Sequence, residues 1–146
     1  MIPKAFKRSL WVFHVNSGSC NGCDIEIIAA LTPRYDAERF GIKLVGSPRH
    51  ADVIAFTGPV TNDMAEKVKR IIEQTPDPKV IVVVGSCGIG GGVFHESYHL
   101  AGPIDKLYPN AKYFYVPGCP PRPEAIIQAF AKAWEWLEEL EVRNEY

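Results

Sequence analysis

Cys20, Cys23, Cys87 and Cys119 are the four cysteines of this chain. The first two form a Cys-x-x-Cys in "SGSCNGCD", and the others stand singly in "GSCG" and "PGCPPRP". Three chemistries suit such a set. A redox dithiol uses a thiol whose pKa is depressed at a helix N-terminus, but it leaves Cys87 and Cys119 without a role. A structural zinc site usually takes two close ligand pairs, whereas here one pair is followed by two widely separated single cysteines. An iron–sulfur cubane accepts thiolates from separate loops. Gly18, Gly22, Gly88 and Gly118 are then expected to let backbone N–H groups approach inorganic sulfide, with Ser19 and Ser86 as neighbouring hydrogen-bond donors. Pro120 behind Cys119 is a frequent companion of cluster ligands. The spacing favours one [4Fe–4S] cluster, with zinc as the alternative and buried structural cysteines as the plain reading.

The elements that must position these residues are strands. Five β-rich runs recur: "LWVFHV" from Leu10, "IKLVG" from Ile42, "DVIAFTG" from Asp52, "KVIVVVG" from Lys79 and "KYFYVPG" from Lys112. Several are nearly continuous in apolar residues, which suits strands covered on both faces of a parallel sheet. Between them, "TNDMAEKVKRIIEQ" predicts a helix capped by Thr61 or Asn62, with Val68, Ile71 and Ile72 on its apolar side and Pro76 beyond its end. A second helix is predicted from Pro123, with Ile126, Ile127, Phe130, Trp134, Leu137 and Leu140 on one face. Strands alternating with helices predict a doubly wound α/β fold, a flavodoxin-like, mainly parallel sheet in the order 2-1-3-4-5. All four cysteines lie just past the first, fourth and fifth strands, at the sheet edge where such folds keep their sites.

Bulk properties exclude more than they assign. The 146 residues have the length of one domain, expected over 1–146. Lys plus Arg (16) balance Asp plus Glu (17), which argues against a nucleic-acid partner. The longest apolar run, "VIVVV" at Val80–Val84, falls far short of the roughly 20 residues of a membrane-spanning helix. The start, "MIPKAFKRSLW", shows no signal-peptide pattern, so the chain is expected to be intracellular, where thiols stay reduced.

Two motifs invite other readings. "HESYH", His95–His99, matches the H-E-x-x-H of zinc proteases, yet glycines and "LAGP" flank it, and a polar loop is expected. "GSCGIGGG" lacks the Lys-Ser/Thr ending of a P-loop. His14 reads as a hydrogen-bonded interior or interface histidine, Trp134 and Trp136 as helix packing, and the charges from Glu135 to Glu145 as a solvated helix end. Asp24 and Glu26 are expected to face a partner, a proton path being the other reading. Arg49 suits either an anchor for a partner subunit or an internal ion pair, and "SPRHA" reads as a tight turn.

Taken together, "SCNGCDIEI", "SPRHADVIAFTGPV", "GSCGIGGGVF" and "VPGCPPRPEAI" resemble the small, electron-transferring subunit of membrane-bound group 4 [NiFe]-hydrogenases, related to the PSST-type subunit of respiratory complex I. The resemblance runs from about Trp11 to about Leu137. It implies a flavodoxin-like fold with one [4Fe–4S] cluster on Cys20, Cys23, Cys87 and Cys119. It also implies an oxidoreductase that is not catalytic alone. The partners implied are a [NiFe] large subunit, a ferredoxin-like iron–sulfur subunit and ion-pumping membrane-arm subunits, on the cytoplasmic side of the membrane. Complex I relatives carry two adjacent cysteines in the first motif; Asn21 and Gly22 between Cys20 and Cys23 follow the hydrogenase pattern. Soluble hydrogenase small subunits add a C-terminal region with further clusters, for which no cysteines are left here. A complex I-like or sulfur-reducing relative and a zinc-stabilised interaction module are the alternatives.

Overall fold

The computed structural model describes residues 9–144. The first eight residues, on which the leader expectation rests, and Glu145 lie outside that range. Along the chain run β1 (Leu10–Asn16), α1 (Gly22–Leu31), β2 (Ile42–Leu44), β3 (Val53–Thr57), β4 (Val60–Thr61), α2 (Asn62–Gln74), β5 (Val80–Val84), α3 (Ser86–Gly90), β6 (Leu100–Gly102), α4 (Ile104–Leu107), β7 (Lys112–Val116) and α5 (Pro123–Asn144).

The five expected runs form one sheet in the order β2-β1-β3-β5-β7, and every neighbouring pair is parallel. Counted among themselves, these strands have the expected 2-1-3-4-5 order of a doubly wound α/β fold. A residue-by-residue alternation explains their unbroken apolar sequences. In β3 and β5, Val53, Ala55, Val80, Val82 and Val84 face one core with Ile27 of α1 and Ile126 and Phe130 of α5. Ile54, Phe56, Ile81 and Val83 face the other with Val68 and Ile72 of α2 and Ile104 of α4. Each fully buried side chain of this kind contributes about 1.5–3 kcal/mol of transfer free energy. Trp134 and Trp136 pack against the first core, as expected of helix-packing residues.

Register decides what the sheet presents at its edge. Asn16 lies opposite Thr57, Thr57 opposite Val84, and Val84 opposite Val116. The last residues of β1, β3, β5 and β7 therefore stand in one row, and the loops behind them leave from one edge.

Two local features differ from expectation, and a third, the loop of "HESYH", agrees with it. β4 and β6 pair antiparallel in a separate two-stranded sheet that sequence reading did not foresee. Thr61 occupies the N-cap of α2 but makes no side-chain capping bond. Asn62, one position on, instead donates its backbone N–H to His99 O at 2.9 Å and its Nδ2 to Tyr98 O at 3.2 Å. "HESYH" follows a 3-10 turn over Gly92–Phe94 as an exposed loop, with Glu96 at φ 65°, and forms no helix that would align its histidines.

Candidate functional site

Three loops at that edge deliver the cysteines. The β1–α1 loop carries Cys20, and Cys23 sits in the first turn of α1; the β5–α3 junction carries Cys87; the β7–α5 loop carries Cys119. Cys20 and Cys119 are exposed, Cys87 is half-buried and Cys23 is buried. A cleft of about 450 Å³, lined in part by Pro59, Ile89, His95 and Lys106, opens against Cys87.

The four sulfurs share one electrostatic neighbourhood. Burial pushes the Cys23 thiol up to about 11, and the negative charges of Cys20, Cys87, Asp24 and Cys119 add to the effect in that order. A buried thiol that resists ionising beside three other cysteines makes a site where a thiolate is favoured by a cationic metal.

Two glycines make the approach of these loops feasible. At Gly85, where β5 turns into α3 with φ 93° and ψ 151°, an added Cβ would stand 2.5 Å from Cys23 Sγ. At Gly92 it would stand 2.9 Å from Cys87 Sγ. Sequence reading gave the cluster-facing role to Gly18, Gly22, Gly88 and Gly118 instead. Of these, Gly22 has Cys20 Sγ at 3.6 Å from its Cβ position. Gly18 is tight against Thr61 and Pro59, Gly88 against Val83, and Gly118 against Pro121, so their missing Cβ atoms serve chain packing.

A polar network lies behind the Cys20–Cys23 loop. Asp24 is buried, and its Oδ1 accepts from Thr57 Oγ1 and pairs with His14 Nε2 at 2.7 Å. Its Oδ2 accepts from Asn16 Nδ2 at 2.7 Å and Ser19 Oγ at 3.3 Å. Asn16 Oδ1 in turn accepts from the backbone N–H groups of Gly18 (3.0 Å) and Ser19 (2.8 Å), and its Nδ2 also reaches Asn21 Oδ1 at 3.1 Å. Asn21 holds a left-handed conformation at φ 71°, and its N–H donates to Ser19 Oγ at 2.9 Å. The expectation that Asp24 faces a partner is therefore corrected: it faces inward, because His14 on β1 and Thr57 on β3 offer it donors in the core. Glu26 is half-buried, and Arg49 is exposed on the 3-10 turn Pro48–His50 with no ion pair among the described residues. Asn16 and Thr57 escaped the sequence reading. For Asn16 a signal existed, since Asn ahead of a Gly/Ser loop accepts from backbone two and three residues on.

The other half is tied through backbone. Gly85 N–H donates to Val116 O at 2.8 Å, Ser86 N–H to Gly118 O at 2.9 Å, and Gly118 N–H to Ser86 Oγ at 3.3 Å. These bonds lash the Cys87 and Cys119 loops to each other.

Among the described residues, no three His, Cys, Asp or Glu side chains converge on one point closely enough to hold a single metal ion. A cubane makes a different demand, one thiolate at each of four separate irons. Four cysteines around a shared space, with Gly85 and Gly92 keeping side-chain atoms away from two of the sulfurs, fit that group. His95 and His99 are drawn instead to Glu96 (3.9 Å) and Asp63 (3.4 Å).

Residues 20–133 match the family described as "NADH ubiquinone oxidoreductase, 20 Kd subunit". The "Probable membrane-bound hydrogenase subunit mbhJ" of Pyrococcus furiosus is 62% identical over 137 residues, covering 94% of this chain and 81% of that protein. "Formate hydrogenlyase subunit 7" of Escherichia coli is 50% identical over 136 residues, covering 93% of this chain and 52% of that protein. A subunit in the solved structure of the membrane-bound sulfane sulfur reductase, an archaeal respiratory membrane complex, superposes with a TM-score of 0.77 at 39% identity, over 93% of this chain and 74% of its own.

Proposed function

The chain belongs to the NADH ubiquinone oxidoreductase 20 Kd subunit family, and we propose that it is the electron-transfer small subunit of a membrane-bound, ion-pumping [NiFe]-hydrogenase complex. Cys20, Cys23, Cys87 and Cys119 hold one [4Fe–4S] cluster in this reading. The observation that carries it is the gathering of four thiols from three strand ends into one electrostatic neighbourhood, in a chain 62% identical to a hydrogenase subunit. A cluster bound there supplies reversible one-electron transfer. Held by these four thiolates, it would link a ferredoxin-like iron–sulfur subunit to the nickel–iron site of a large subunit that reduces protons to hydrogen.

The chain's own residues do the rest. Cys23 and the β1–α1 loop close the site on the protein side, excluding water there, while exposed Cys20 and Cys119 leave the opposite side open. Ile25 and Ile28 of α1, which carries Cys23, and Val93, Phe94 and Tyr98 on the turn and loop that follow Cys87 in the chain are exposed large apolar residues. Their position supports a partner subunit that covers the open side and completes the desolvation on which a cluster's potential depends. No helix among the described residues is long and apolar enough to cross a membrane; in this reading membrane-arm subunits hold the chain at the cytoplasmic face.

A second reading keeps the cluster and changes the terminal acceptor, and the likeness to a subunit of a sulfane sulfur reductase supports it. The large subunit of the same complex decides between them: without two Cys-x-x-Cys pairs to hold nickel and iron, hydrogen evolution is excluded. The cluster itself is tested by comparing wild-type and Cys119→Ser complexes purified without oxygen. The variant is expected to lack about four irons and four acid-labile sulfides and to lose electron flow while its α/β circular dichroism persists. Zinc in place of sulfide, or an unchanged paramagnetic signal, would overturn the assignment.

A further inference from the structure

Asp24 makes no hydrogen bond to a cysteine sulfur among the described residues, yet it is tied to the loop that carries Cys20 at Ser19 and, through Asn16, at Gly18 and Asn21. One oxygen is held from the sheet, by Thr57 of β3 and His14 of β1. The other holds the loop, directly at Ser19 Oγ and through Asn16, whose carbonyl oxygen takes the N–H groups of Gly18 and Ser19. Asp24 itself lies in the first turn of α1, next to Cys23. Sheet, loop and helix thus meet at one buried carboxylate, and no side-chain polar atom buried among the described residues is left without a partner.

We propose that Asp24 is a positioning residue: through Asn16 and Ser19 it fixes the loop 17–21 against α1, so that Cys20 and Cys23 hold their spacing before any iron arrives. This rests on the cluster reading above for its purpose, but the preorganisation belongs to the metal-free chain. Ser17, at the start of the loop, is buried and tied to the end of β3 by its own N–H and Oγ. Beyond it the loop has no large apolar side chain to anchor it, and the N–H groups of Gly18 and Ser19 would otherwise turn to water. The carboxylate replaces that missing packing with hydrogen bonds.

Asp24→Ala and Asp24→Asn separate geometry from charge. The Asn16 amide cannot rotate, because its oxygen is occupied by two backbone N–H groups. An amide at position 24 must therefore turn its oxygen to Asn16 and its nitrogen to Thr57 and His14, which can both accept after a hydroxyl rotation and a change of tautomer. The loop side of the clamp survives in Asp24→Asn and is lost in Asp24→Ala.

Two measurements decide. In the metal-free full chain, the alkylation rate of Cys20 is read against that of Cys119 as an internal control. Asp24→Ala is expected to raise the ratio about fivefold, the opening that loss of one ordinary hydrogen bond allows, and Asp24→Asn to return it to the wild-type value. In the purified complex, Asp24→Ala is expected to change the g values and midpoint potential of the cluster, and Asp24→Asn to leave its g values unchanged. Thr57→Val removes one of the two sheet anchors and leaves His14, and carries the same expectation in smaller size should Asp24→Ala not fold. An unchanged alkylation ratio, or an Asp24→Asn effect as large as that of Asp24→Ala, overturns the proposal. A wild-type complex without acid-labile sulfide overturns the cluster reading instead, and the alkylation ratio then decides the positioning role alone.

Discussion

The two halves of the cysteine site are held by different physics. The Cys20–Cys23 half hangs on side chains, with Asp24, Asn16, Ser19, His14 and Thr57 forming one network behind a short loop. The Cys87–Cys119 half hangs on backbone, with Gly85 and Ser86 bonded to Val116 and Gly118 almost as a continuation of the β5–β7 ladder. Backbone bonds survive most substitutions, because every residue except proline keeps its N–H. Side-chain networks do not, because each member is one residue type deep. The first half should therefore be sensitive at many positions, and the second only where the backbone itself is constrained.

Gly85 is that constraint and joins the two halves. Its φ of 93° with ψ 151° is a conformation open essentially to glycine, and a Cβ there would stand 2.5 Å from Cys23 Sγ. Gly85→Ala is expected to lower stability by about 3 kcal/mol or more and to displace Cys23, so the complex should purify without this cluster. Thermal unfolding and iron content check it. If iron stays at the wild-type level, the thiol has room to move and the halves are less tightly fitted than the geometry states.

Next in size is a pH effect confined to the metal-free chain. The folded state holds the Cys23 thiol at about 11 against an ordinary value of 9.0, chiefly by burial. A group raised on folding contributes stability below its unfolded pKa and loses that contribution as pH rises through the folded value. Unfolding in denaturant should thus show about 2–3 kcal/mol lost between pH 9 and 11. Cys23→Ser should flatten that slope, and a slope unchanged by it would assign the loss to other groups, such as Tyr113, which burial also raises.

Asn16→Ala tests the side-chain half away from Asp24. It orphans the N–H groups of Gly18 and Ser19, which water partly recovers at this edge, and it leaves one oxygen of buried Asp24 with Ser19 alone. About 2 kcal/mol is expected, with faster loss of iron to a chelator than in wild type. Equal chelation rates would mean that the loop keeps its shape without the network.

The unequal construction of the halves also explains what can be read from sequence. Strand order and the row of strand ends are legible because two-sided burial writes itself as runs such as "VIVVV", and the cysteines' places behind those strands follow from that reading. The β4–β6 pair is not legible: strands of two and three residues carry no periodicity, and their pairing depends on the fold already being present. The side-chain half stays hidden for the same reason. Nothing near Asp24 in sequence shows that His14 and Thr57 will meet it, since that meeting depends on the β1–β3 register. Gly88 and Gly118 adjoin cysteines in sequence, but sequence alone does not tell that the Cβ positions of Gly85 and Gly92 crowd the sulfurs of Cys23 and Cys87.

The smallest effect should come from Ser86, the single side chain that links the loops of the backbone-held half. Its Oγ accepts from Gly118 N–H at 3.3 Å and lies 3.2 Å from Gly118 O, long contacts beside the 2.9 Å bond from its own N–H to the same carbonyl. Ser86→Ala keeps that backbone bond and the neighbouring one from Gly85 to Val116. The loss should be about 1 kcal/mol or less, and the effect on chelation rate should fall well below that of Asn16→Ala. The two substitutions remove side-chain hydrogen bonds at the same sheet edge, one from each half. If Ser86→Ala releases iron as fast as Asn16→Ala, the contrast between a side-chain-held and a backbone-held half fails, because the hydroxyl would then be holding Cys87 and Cys119 as firmly as the carboxylate network holds Cys20 and Cys23.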